Sequence, residues 1–108
     1  MPRYLQYANL IEGREAAYIH EHDNIYVEVS SGLKKAGVQN LHIWRKDGTN
    51  EIFMYIEIDG GKDIATALGE NSEYLRSHER VRQWETSMAT EFHLGWTMMT
   101  EIHSSDKW

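Results

Sequence analysis

The chain of 108 residues contains no cysteine, and that absence excludes disulfide staples, thiolate metal sites and thiol nucleophiles together. It also lacks any apolar run approaching the ~20 residues needed to cross a bilayer, and its start, MPRYLQYANLIEG, lacks the long apolar core of a signal peptide. Positive charge is scarce. Against 17 Asp and Glu stand 11 Lys and Arg, a net charge of −6, and no basic patch stands out that would grip a phosphate backbone. The expectation is a cytoplasmic protein with no membrane or nucleic-acid partner, acting on a neutral or weakly charged substrate.

What is present is the composition of a folded globular chain: 41% hydrophobic and 11% aromatic residues. The length suits one domain, taken as residues 1–108, and no repeat, low-complexity tract or linker divides it. A domain of this size buries a modest core, so oligomerisation is an attractive way to bury more.

Hydrophobic spacing predicts a strand over Arg3–Leu10, then one long helix from Gly13 to about Ala36, stopped by Gly37 in the cap position. Strands over Val38–Arg45 and Glu51–Ile58 flank the turn Lys46–Asn50 and form a hairpin. A short helical piece over Asp63–Leu68, a longer helix from Asn71 to Glu91 and a last strand over Thr97–His103 complete the chain, leaving the terminal Trp108 without a role. Strand, helix, strand, strand, helix, strand is the ferredoxin-like order, an α+β fold with a four-stranded antiparallel sheet and helices on one face.

Both faces of the strands are partly apolar. Ile52, Met54, Ile56 and Ile58 alternate with Phe53 and Tyr55, and Trp96 and Met98 oppose Met99. The face away from the helices therefore expects a cover, most simply a second copy packed sheet to sheet in a dimeric α/β barrel; the competing reading is a monomer with scattered surface aromatics.

At roughly 100° per residue, Tyr18, His22, Ile25, Val29, Leu33 and Ala36 form one helix stripe. His20 falls on the opposite side, which argues against chelation by His20-Glu21-His22, since helical metal ligands stand three or four apart. His22 belongs between helix and sheet, either as a core histidine bonded to a neighbour or at a pocket edge, where imidazole exchanges protons near neutral pH. His42, His78, His93 and His103 have no partner at informative spacing and read as surface or packing residues.

Further motifs carry a resemblance. Tyr18 precedes His22 by four, Ile25-Tyr26-Val27-Glu28 stands where an Ile-Trp-Pro-Glu-like stretch is expected, and Asn40-Leu41-His42-Ile43 stands for Asn-Tyr-x-Ile. Phe53 with Glu57 follows, and Trp84-Glu85-Thr86-Ser87-Met88 replaces Trp-Trp-x-x-Met. In this order, nearly end to end, the chain resembles the bacterial L-rhamnose mutarotase family, small dimeric ferredoxin-like enzymes that interconvert sugar anomers.

The resemblance implies that His22 donates a proton and that Tyr18 and Trp84 touch the sugar. Leu41 replaces a sugar-binding tyrosine and Glu85 a second tryptophan, so a related deoxyhexose such as L-fucose rivals L-rhamnose. Asn40 would orient a hydroxyl or His22, or simply cap a sheet edge. Glu85 is a candidate base, although the residues alone favour a solvated helix glutamate, and Trp84 at helical spacing with Val81 and Met88 also suits a core anchor.

Ring opening and closure of a hemiacetal needs one acid and one base, with neither metal nor redox cofactor. The rival classes are cofactor-free monooxygenases or haem-degrading enzymes of the same dimeric fold, which would take a flat aromatic or porphyrin, and a non-catalytic sugar-binding protein.

Overall fold

A computed structural model describes residues 2–108. Four strands form one antiparallel sheet in the order β2-β3-β1-β4, with β1 over Arg3–Asn9, β2 over Val38–Arg45, β3 over Glu51–Ile58 and β4 over Thr97–Met98. This is the α+β ferredoxin-like arrangement. The helices α1 (Glu15–Asp23), α2 (Val27–Lys35), α3 (Ile64–Leu68), α4 (Glu73–Arg76) and α5 (Glu79–Ser87) supply the residues that bury one sheet face.

Alternation in β3 sets which face that is. Ile52, Ile56 and Ile58 are almost fully buried beneath the helices, with Met54 beside them, whereas Phe53 and Tyr55 point to the other side and are half-buried. Val29, Val81, Trp84, Met88 and Phe92 close over this floor from the helical layer. Each fully buried aliphatic side chain contributes about 1.5–3 kcal/mol.

Three sequence expectations need correction. The long first helix is two. The Asn24 side chain and backbone N–H both donate to the His20 carbonyl at 2.9 and 3.0 Å, taking over the end of α1, and Tyr26 is extended before α2 begins. The late helix is also divided, because the His78 ring accepts from the Arg80 N–H at 3.0 Å and so starts α5 as its cap, and a π-helical turn over Met88–Phe92 follows α5. The last strand is confined to Thr97–Met98, with one more backbone bond from the Met99 N–H to the Leu5 carbonyl at 2.9 Å; farther on Ile102 is 96% exposed and no strand is formed.

Gly37 has the positive φ of +106° expected past a helix end, and a Cβ there would stand 2.8 Å from the Asp59 carbonyl. That close approach fixes where α2 turns into β2. Arg3 holds the C-terminal segment to β1, with its guanidinium 3.1 Å from Glu101, 2.6 Å from Ser104 Oγ and 3.3 Å from Asp106. Trp108 at the end of that segment is exposed, its ring centroid 5.8 Å from that of His103. Among the described residues, no helix is long and apolar enough to cross a membrane.

Candidate functional site

A cavity of about 900 Å³ lies between the sheet and the helices, within the range of small-molecule sites. Its first wall is α1. Tyr18 and His22 stand one turn apart, so both side chains leave the helix on the sheet side, their ring centroids 4.3 Å apart. His20 points out to solvent beside Asn24, as its phase on the helix requires.

His22 is positioned by its own helix. Its Nδ1 lies 2.8 Å from the Tyr18 carbonyl, and because a carbonyl only accepts, Nδ1 carries the proton. The neutral ring therefore keeps an unprotonated Nε2. Burial pushes the imidazole below its ordinary value of 6.5; the Tyr18 carbonyl pulls it back in part, and the nearby His93 adds to the lowering. His22 is thus a neutral proton acceptor at neutral pH.

The opposite wall comes from α5 and the turn after it. Trp84 forms a T-shaped pair with the His22 ring, 5.2 Å between centroids, and is buried, serving core and cavity at once. Glu85 also lines the cavity, and the solvated reading is overturned: its Oε1 accepts the Tyr74 hydroxyl at 2.8 Å in half-buried surroundings. Burial raises the Glu85 carboxyl while the Tyr74 hydroxyl lowers it, and the net direction is up. Burial, and then the Glu85 charge, raises the Tyr18 phenol.

Leu41 reaches the cavity from β2 as an apolar side chain. Asn40 does not. One residue earlier on the strand, it points from the opposite face and donates to Glu57 at 3.1 Å. The structure thus brings Tyr18, His22, Leu41, Trp84 and Glu85 together and leaves Asn40 outside. Among the described residues, no three His, Asp or Glu side chains gather closely enough to hold a metal ion.

Two cavity residues escaped the sequence reading. His93 takes the packing place of the two that the sequence left open: it is 4% exposed, its ring 5.6 Å from Tyr18 and 4.7 Å from Trp96, with Nδ1 2.8 Å from the Leu94 carbonyl. Burial lowers it as well. Gln6 is 8% exposed on the helix-facing side of β1. It had a legible signal, a polar residue at an inward position of the alternation Tyr4, Gln6, Ala8, Leu10.

The family model for L-rhamnose mutarotase matches residues 3–108, so two histidines, an indole and a half-buried carboxylate sit in a chain that matches it nearly throughout. The chain belongs to the L-rhamnose mutarotase family. Among curated proteins it is similar to an L-rhamnose mutarotase of Tolumonas auensis, 39% identical over 44 residues, a match spanning 41% of this chain and 42% of that relative. The crystal structure of an L-rhamnose mutarotase from Formosa agariphila superposes with a TM-score of 0.73 at 22% identity, covering 96% of this chain and 98% of the other. A dimeric ferredoxin-like protein from an uncultured marine organism follows with a TM-score of 0.55 at 13% identity over 95% of this chain and 91% of its own. Both structural likenesses speak to the fold.

Proposed function

We propose that the protein is a mutarotase acting on L-rhamnose or a related deoxyhexose such as L-fucose. The observation that carries this reading is the neutral His22 ring, its Nδ1–H committed to the Tyr18 carbonyl and its Nε2 left to accept, in a cavity with room for a free monosaccharide beside an indole.

In a pyranose the anomeric hydroxyl and the ring oxygen are bonded to the same carbon, so one imidazole nitrogen can serve both. Nε2 takes the anomeric hydroxyl proton as the C1–O5 bond breaks, and the imidazolium returns that proton to the ring oxygen. Atoms and charge balance. The open-chain aldehyde turns about C1–C2, and the reverse transfer closes the ring on its other face. The donor role implied by the resemblance is then the second half of a cycle that starts with His22 as base. Positioned proton transfer of this kind contributes about 10²–10⁴-fold.

In this reading Trp84 offers an apolar platform to the C–H face of the sugar, and Glu85, steadied by Tyr74, orients or shares the proton of a neighbouring hydroxyl. The resemblance puts a tyrosine and a second tryptophan where Leu41 and Glu85 stand, which favours a relative of L-rhamnose as strongly as L-rhamnose itself.

The working unit in this proposal is a cytoplasmic homodimer formed through the outer sheet face as an α/β barrel. Leu5, Trp44 and Met99 are 39%, 56% and 43% exposed, with Tyr7, Phe53 and Tyr55 between them, an apolar surface that a second copy would cover. Sedimentation as a monomer at micromolar concentration would remove this part.

Saturation-transfer NMR on L-rhamnose and L-fucose tests the activity. Exchange between anomers is expected to exceed the buffer rate for at least one sugar and to return to the buffer rate in His22→Ala. No acceleration of either sugar by the wild-type protein defeats the enzymatic reading.

A further inference from the structure

Gln6 Oε1 is buried and has no hydrogen-bond partner among the described residues, although Gln6 lines the cavity. Its position explains the isolation. On the sheet floor its cross-strand neighbours are Met54 on β3 and Met98 on β4, neither of which carries a strong hydrogen-bonding group. An amide oxygen shut away from water with nothing donating to it costs the protein stability, and native chains hold few such groups without a use for them.

A leucine or methionine at this inward strand position would fit the alternation and avoid that cost. The Gln6 side chain instead lines the space where the proposed substrate would lie, and a free monosaccharide presents a hydroxyl donor on almost every carbon. We infer that Gln6 reads a hydroxyl of the bound sugar, its side-chain oxygen accepting the hydroxyl proton at the sheet floor of the cavity. The inference rests on the sugar reading of the same site. It also weighs against a flat aromatic occupant, which would press carbon against that oxygen and leave it unsatisfied.

The pairing makes Gln6 a specificity-determining residue distant from the proton-transfer step. A site built to accept a hydroxyl discriminates against the analogue lacking it, because the buried acceptor is then left unpaired. The interaction is present before and during ring opening, so it is expressed in KM and leaves kcat nearly unchanged.

The test compares wild type with Gln6→Met, a substitution of matching length that extends the flanking methionines. Anomer exchange is measured on L-rhamnose, L-fucose and the monodeoxy analogues of whichever sugar is turned over. The expected result is a KM raised about tenfold, equivalent to about 1.4 kcal/mol, a kcat within about twofold, and loss of the preference for the parent sugar over one deoxy analogue. Thermal stability is expected to hold or rise, since an unpaired polar atom leaves the core. Unchanged KM and unchanged discrimination, the pattern of an amide that only bonds water, would overturn the inference; so would a clear fall in melting temperature.

A measurement on the wild type removes dependence on the variant. The Gln6 side-chain amide resonances are followed in ¹⁵N-edited spectra while L-rhamnose or L-fucose is added. A saturable shift with one of them supports the role, and no shift with either overturns it. This readout needs no turnover: a shifted Gln6 amide in a protein that accelerates no anomer exchange would leave Gln6 a sugar reader and remove the mutarotase proposal alone.

Discussion

The two walls of the cavity are built by opposite means. The α1 wall is regular helix, where Tyr18 and His22 share a direction by spacing alone and one backbone carbonyl fixes the proton of the imidazole. The wall of α5 and its π-helical turn is irregular, and its polar groups are set from afar: Tyr74 on α4 holds Glu85, and His93 reaches the cavity only after the turn has widened. The difference teaches that proton-transfer geometry can be local, while the surroundings that tune it depend on packing between segments far apart in sequence.

Breaking the second wall outright has the largest expected effect. Trp84→Ala removes a buried indole that serves both core and cavity and should cost about 3–5 kcal/mol of stability, read by denaturant unfolding, with sugar turnover lost. If stability barely moves, the two functions of that wall are separate. His22→Ala should lower kcat/KM for anomer exchange by about 10²–10⁴-fold and leave the melting temperature close to wild type, because α1 keeps its backbone bonds. Glu85→Gln keeps shape and Tyr74 contact but removes the charge; exchange should slow by about 10–100-fold, the range of a lost charge-assisted hydrogen bond. An unaltered rate would restrict proton transfer to the α1 wall.

Acidification gives the smallest effect and the finest comparison. Burial holds His22 and His93 below 6.5 in the folded protein, so the unfolded chain takes up protons first. Their contribution to stability is whole above about pH 6.5 and is lost as pH falls through the folded values. Glu85, raised by burial above its ordinary 4.5, has the opposite sign: its contribution is present below its unfolded value and lost as pH rises through the folded one. Unfolding free energy measured from pH 7.5 to 4.5 should therefore decline on acidification in the wild type, and more steeply in Glu85→Gln, where the opposing carboxyl is gone. A flat profile in both proteins would show that neither imidazole is desolvated.

Much of this was legible in the sequence. Alternation in β3 placed Ile52, Met54, Ile56 and Ile58 on the buried face, and 3.6-residue spacing aimed Tyr18 and His22 inward. What stayed hidden depended on departures from those periods. Asn24 ended α1 by bonding back to His20, which composition does not distinguish from an ordinary helical asparagine. The turn after α5 changed the phase that would have located His93. The burial of Glu85 hinges on Tyr74, 11 residues earlier in a separate helix, and the chemistry of Asn40 suits a cavity as well as a sheet edge, while strand parity turns it to the other face beside Glu57.

The central claim is the state of one ring, and ¹⁵N-detected histidine NMR with a pH titration reads it directly. The account predicts that His22 is neutral with its proton on Nδ1, titrates below 6.5, and shifts at Nε2 when a sugar that the protein turns over is added. A His22 protonated on Nε2, or one titrating above 6.5 and unmoved by the sugar, would contradict it.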